Sequence, residues 1–426
     1  DSSLRILMIG SNKIEHFLNN WLAYRTEELF ADLAAKRTEF FRQKAQIGEV
    51  RDVVVLISIT IPSIATDLEN MQRRRENLQN ILTSIGLYTD WVNSQTLIDL
   101  LRNIFGWQDK TEYPDINDHE VLSEQILRPD FSMVEQDEMI LIGEDQAIAS
   151  LEIVKRPLEW KLNLMDLFIG NEMRRGDNIA CNYLIHLGVH ILTNQGMLKA
   201  GALGRREAIM RNFQAGMDKL FPDLREEYTD LDSAVNSLLV GNRMINLHLN
   251  VILTDSPKKI KEMTQNYQSM MRRNGFNFVA CKFDHLAVLL NSLPMQMLEE
   301  DQRFIGSKVS GASIALRNLG RGLKTISSEI NALLPIIGEW KGDLNSPGLL
   351  LTGRRGQIMY WSPFGSALLP NVKRANVLEA AENFNICVAG TSGSGKSVLL
   401  QEIMWSTLGV GGKVFVLDYG RSFNHS

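Results

Sequence analysis

Eight residues near the end of the chain have the types and spacing to hold a phosphate. Gly390-Thr391-Ser392-Gly393-Ser394-Gly395-Lys396-Ser397 has the form GxxxxGKS. Glycines let the backbone wind tightly around an anion, with its N–H groups pointing inward. A following helix N-terminus adds positive partial charge. Lys396 places a cation at the β- and γ-phosphates, and the Ser397 hydroxyl is a ligand for Mg²⁺. The chemistry so specified is the binding of ATP with Mg²⁺ and, in a complete enzyme, its hydrolysis. A chance match to this pattern arises in roughly one chain of this length in a hundred. The flanks argue against chance: Asn385 to Ala389 reads as an apolar strand leading in, and Val398 to Leu408 as a helix leading out.

A second candidate lies just beyond. Gly409 to Gly412 marks a turn, and Val414-Phe415-Val416-Leu417-Asp418 reads as a strand ending in a carboxylate. In a parallel sheet the strand C-termini line the ligand crevice, which would set Asp418 at the γ-phosphate or the attacking water. Equally, Asp418 can open the Tyr419-Gly420 turn, and both readings stay open. Arg421 is a phosphate or subunit contact in one reading and a surface residue in the other. No later apolar strand ends in an acidic pair, so the nucleotide domain is expected to be incomplete. At the other end the chain opens on Asp1-Ser2-Ser3 rather than Met, with a strand already at Leu4 to Gly10. It is expected to begin inside a folded domain.

The elements ahead of the phosphate loop alternate between strand and helix patterns. Val53 to Ile61 is β-branched and ends at Pro62; Asp67 to Leu82 has helical spacing of Leu68, Met71, Leu78, Ile81 and Leu82. Met139 to Ile142 and Ile148 to Val154 read as strands joined by a polar turn. Ile179, Cys181, Tyr183, Ile185, Leu187, Val189 and Ile191 recur at period two, and so do Ile245, Leu247, Leu249, Val251 and Leu253. Each set predicts a strand with one buried face. His186, His190 and His248 fall on the alternate, polar sides, where solvent or a partner is expected. Arg206 to Asp232 reads as helical and polar. A helix capped by Ser256, with Pro257 first and Gly275 as terminator, precedes a strand at Phe276 to Phe283. The expected architecture is an α+β platform domain over 1–330, a Gly- and Pro-rich connection over 331–384, and the start of an α/β RecA-like P-loop domain over 385–426.

Composition excludes several classes. With 45 basic against 50 acidic residues the formal net charge is −5, so no global field attracts nucleic acid. The Arg doublets at 174–175, 205–206, 272–273 and 354–355 and the triplet at 73–75 are balanced by nearby acids. Cys181, Cys281 and Cys387 have neither disulfide nor metal-ligand spacing. No apolar run is long enough to cross a bilayer.

Beyond the loop, a series of short motifs resembles the TraC-type, VirB-four-like ATPases of type IV secretion and F-type conjugation. These are Arg272-Arg273-Asn274-Gly275-Phe276, Phe283-Asp284-His285, Leu290-Asn291-Ser292-Leu293-Pro294 and Gly348-Leu349-Leu350, followed by the phosphate loop itself. The resemblance spans most of the chain. It implies a platform that docks on the inner-membrane complex, a RecA-like motor, a homo-hexamer, and ATP-driven pilus assembly or substrate transfer. It also implies peripheral attachment, through partner proteins, at the cytoplasmic face of the inner membrane of a bacterium. Two alternatives compete: a DNA translocase of the FtsK/HerA sort, and a scaffold in which nucleotide only sets assembly. The charge balance and the lack of interleaved basic and aromatic residues disfavour direct DNA contact without closing the question.

Overall fold

The computed structural model describes residues 3–25, 27–60, 68–87, 89–105, 114–117, 119–155, 164–170, 179–192, 195–214, 223–294, 323–336, 339–342, 348–362 and 385–419. Its centre is a nine-stranded sheet. Seven of the strands are β1 (Ser3–Ser11), β2 (Asp52–Thr60), β3 (Met133–Glu135), β4 (Ile140–Ile142), β5 (Gln146–Lys155), β6 (Asn182–Ile191) and β7 (Met244–Asp255). They lie in the order β2-β1-β6-β7-β5-β4-β3, with β8 (Asn277–Ala280) beside β5 and β9 (Leu323–Ile326) beside β7. Every pairing is antiparallel. The two long alternating strands, β6 and β7, are neighbours, in register from Asn182↔Thr254 to Ile191↔Ile245.

That register sorts side chains by face. Tyr183, Ile185, Leu187 and Val189 join Leu247, Leu249, Val251 and Leu253 in one core. Helix α9 (Ile260–Arg273) closes it with Tyr267, Met270 and Met271, and Phe168, Phe276 and Phe278 fill the gap between. Phe168 meets Phe276 at 4.8 Å between centroids, tilted edge to face. Such pairs add about 0.5–1.5 kcal/mol beyond area burial. On the opposite face Leu7, Ile9, Leu184 and Ile252 pack against α4 (Ser94–Ile104) and α10 (His285–Ser292). The Asn93 carboxamide oxygen accepts from the Thr96 N–H at 2.8 Å and starts α4.

A third core is built from distant sequence. Helices α1 (Glu15–Ala23) and α2 (Ala31–Gln46) enclose Phe17, Leu18, Trp21 and Phe41. Leu350, Ile358 and Tyr360, from the hairpin β10 (Leu349–Thr352) and β11 (Ile358–Trp361), complete it. Polar contacts pin the hairpin: the Trp21 indole N–H donates to Gly348 O at 2.8 Å, and Tyr360 Oη donates to Phe17 O. Burial pushes the Tyr360 phenol up to about 12.

Several expectations change. His186, His190 and His248 do not face solvent; all three are buried. Arg5, on the same face, donates to Leu293 O at 2.9 Å, and Asn250 meets Ser292 Oγ at 3.5 Å. Residues 348–361, read as connection, hold the β10–β11 hairpin. The polar region around Arg206 to Asp232 contains α7 (Gln195–Gln214) and α8 (Asp223–Leu239). Helix α9 starts at Ile260, after a turn in which Ser256 O accepts from the Lys259 and Ile260 N–H groups. It ends as expected at Gly275, with φ of 83°. Neither Asn385–Ala389 nor Val414–Asp418 belongs to a strand. No described strand lies beside either segment to complete a ladder.

Candidate nucleotide-binding site

The loop from Gly390 to Ser397 is built as the motif requires. Gly393 and Gly395 take φ of 78° and 86°, the left-handed region that a side chain would strain. The Ser394 N–H donates to Thr391 O at 3.2 Å and closes the turn. A Cβ on Gly390 would stand 2.5 Å from Ser394 Oγ, so a larger residue there would force the Ser394 hydroxyl to turn away. Helix α11 (Lys396–Gly409) then begins directly from Gly395, and no side chain caps it. Its first N–H groups are the unsatisfied donors that an anion would take.

Lys396 folds back over the loop. Its Nζ donates to Gly390 O at 2.8 Å and to Thr391 O at 2.7 Å. A cation is thereby held at the loop by two carbonyls, and among the described residues no carboxylate pairs with it to compete with a phosphate. Thr391, Ser392 and Ser397 are exposed, which leaves the hydroxyl proposed for Mg²⁺ accessible. The donor set fits a nucleotide triphosphate: glycine backbone, helix N-terminus, one lysine and one hydroxyl. Asp418 is brought into no strand end, so the structure gives it no crevice position. Phe415 and Leu417, on either side of Val416, are 93% and 92% exposed. Among the described residues, no group of His, Cys, Asp or Glu is arranged to hold a metal ion.

The motif does not predict what fixes α11. Arg37 Nη1 meets Glu402 Oε1 at 3.3 Å, and the Phe30 ring stands edge-on to Trp405 at 5.5 Å. Arg37 also donates to Leu350 O at 3.0 Å and lies over the Phe41 ring at 4.9 Å. Helix α11, which follows the phosphate loop, is thus tied to Phe30, to α2 and to the β10–β11 hairpin. These partners are separated by hundreds of residues, and no local pattern marks them.

The motif series ahead of the loop does structural work. The His285 Nδ1 accepts from the Ser150 N–H at 3.0 Å, Ser150 Oγ donates to His285 O at 3.1 Å, and the His285 Nε2 donates to Asp137 O at 3.2 Å. Burial lowers its pKa, which keeps the imidazole neutral for this role. Glu135 Oε1 accepts the Leu286 N–H at 3.0 Å at the start of α10. Phe283 holds φ of 56°, a strained value for a non-glycine, as the chain turns into that helix. Together these residues lock α10 onto β5.

Comparison with known proteins agrees with the pattern. The sequence profile of the family described as "TraC protein" matches residues 1–297. Protein TraC of Escherichia coli strain K12 is 21% identical over 391 residues, covering 88% of this chain and 42% of that relative. The chain therefore spans about two fifths of the relative's length. The profile match lies wholly ahead of the phosphate loop, so the nucleotide assignment rests on the loop's own geometry. By the extent of that match, the chain belongs to the TraC family that its motif series resembles.

Proposed function

We propose that the chain forms the platform and the phosphate-binding loop of an ATPase serving a conjugative type IV secretion apparatus. The observation that carries the nucleotide half is Lys396 bridging Gly390 O and Thr391 O at an uncapped helix start. On ATP binding, the loop N–H groups take the phosphate oxygens, and Lys396 exchanges its carbonyl partners for the β- and γ-phosphates. Mg²⁺ would be held by Ser397 and would neutralise charge between those phosphates. Asp418 is the candidate to orient the attacking water once its strand is paired within a RecA-like sheet. Because α11 is tied to Phe30 and α2, loop closure would pull on the platform. That tie would couple hydrolysis to pilus assembly or substrate transfer in a homo-hexamer.

Family membership supports the conjugative setting. No described helix is long and apolar enough to cross a membrane. Attachment is accordingly proposed to be peripheral, at the cytoplasmic face of the inner membrane, through partners of the secretion complex. The test is Lys396→Ala in the full-length protein. ATP turnover should fall by at least about 100-fold, since the transition-state cation is removed, while the melting temperature holds. Turnover at the wild-type rate would refute the site.

A further inference from the structure

The connection from β2 leads to helix α3 (Leu68–Ser84), which sits unusually on this fold. Leu82 is its one side chain buried among the described residues. Yet its sequence is amphipathic. At 100° per residue, Leu68, Met71, Leu78, Ile81 and Leu82 fall within an arc of roughly 140°. Leu68 is 80% exposed and Ile81 60%, and Ile85 in the next turn is 62% exposed. An apolar stripe left in water is unfavourable by about 25 cal/mol per Å².

Charge on the helix is segregated around that stripe. Arg74 and Arg75 project near its two margins, while Glu69 and Glu76 lie on the opposite side. Arg73, away from the stripe, is paired with Glu69 at 2.7 Å. The Arg75 guanidinium stacks over Trp91 at 4.0 Å, and Gln79 Nε2 donates to Thr89 O at 3.0 Å, holding the 89–92 segment alongside. Trp91 and Val92 are themselves exposed. The surface is therefore an apolar ridge with a tryptophan at its edge and one arginine just inside each margin, on a chain of net charge −5.

We infer that α3 and Trp91 form a lipid-contact surface that lies in the interface of an anionic bilayer. The acyl boundary takes Leu68, Met71, Ile81 and Ile85. Arg74 and Arg75 reach the headgroup phosphates, and Trp91 sits at headgroup depth, where its amphipathic ring is favoured. A single ridge of this size gives reversible binding, reinforced by partner docking and by several copies in one assembly. The surface operates independently of nucleotide, so its failure would leave the Lys396 assignment untouched.

The experiment is flotation of the purified chain with phosphatidylethanolamine–phosphatidylglycerol vesicles and with phosphatidylcholine vesicles. Wild-type protein should float with the anionic vesicles, release in high salt, and stay behind with the neutral ones. Arg74→Gln with Arg75→Gln should weaken anionic binding roughly 30-fold. Ile81→Glu with Ile85→Glu should abolish it at any salt. All four positions are exposed, so melting curves should match wild type, and the two pairs test charge and apolar contact separately. Absence of wild-type flotation with anionic vesicles overturns the proposal, as does wild-type binding by either variant. A lipid-free oligomer that Ile81→Glu with Ile85→Glu dissolves, with no vesicle binding, would assign the ridge to a second copy instead.

Discussion

At the residue scale, the buried imidazoles make the sharpest prediction. His186 and His248 are held neutral first by burial, then by the Arg5 charge beside them, with a neighbouring histidine adding to each. His248 is lowered to about 4 from 6.5. A histidine whose folded pKa is depressed binds its proton more readily when unfolded. Stability from this group is therefore complete above about pH 6.5 and is lost as pH falls toward 4. The loss from His248 alone is on the order of 3 kcal/mol at the acid end. Denaturation midpoints should hold from pH 7.5 to about 6.5 and then fall steadily to pH 4.5, and His248→Asn should flatten the slope. A pH-independent midpoint across that window would mean that these rings are hydrated in solution. Gly188 belongs to the same cluster. A Cβ there would stand 3.0 Å from His186 Cε1 and 3.4 Å from His248 Cβ, so Gly188→Ala should destabilise by about 1–3 kcal/mol through overpacking.

At the element scale, α11 is the joint between nucleotide and platform. The Arg37–Glu402 pair is partly exposed, so Glu402→Ala should cost only about 0.2–1 kcal/mol. Arg37→Ala should cost more, about 1–3 kcal/mol, because Leu350 O also loses its donor and the Phe41 ring its cation. Trp405→Ala removes the Phe30 contact. Hydrogen exchange should show these changes as loss of protection in α11 with protection in β6 and β7 unchanged. Equal loss in the central strands would mean that α11 unfolds only with the whole molecule, and that the tie is no separable coupling. The helix itself was legible from its spacing after the glycines. Its docking site was not, because Phe30, Arg37 and Leu350 are placed there by the fold alone.

At the scale of the whole molecule, the described structure divides unevenly. One continuous antiparallel sheet takes most of the ordered core, whereas the segments flanking the phosphate loop have no strand beside them. Phosphoryl transfer needs the γ-phosphate, the metal and a positioned water in one closed site. With no described strand beside those segments, the chain is expected to release phosphate no faster than its Lys396→Ala variant, and to retain ATP poorly on gel filtration. Turnover at an ordinary enzyme rate of about 1 s⁻¹ or more would show that the loop closes its site without a paired strand beside it.

The sequence by itself determined what is local. The phosphate loop is contiguous, so its glycines, lysine and serine carry their geometry with them wherever the loop is placed. Period-two alternation marked β6 and β7, and the Arg272 to Phe276 series marked the end of α9, because strand pleat and helix termination act over a few residues. Only the tertiary structure decided which alternating face is covered. The polar positions His186, His190 and His248 read as facing solvent or a partner, yet Leu293, 288 residues from Arg5, brings its carbonyl over that face and the rings are buried within the chain itself. It also drew residues 348–361 into the α1–α2 core and left Leu68, Met71, Ile81 and Ile85 of the α3 ridge exposed. Local pattern fixes which side of an element is apolar. Whether that side meets a core, a partner or water depends on contacts whose closure joins distant parts of the chain.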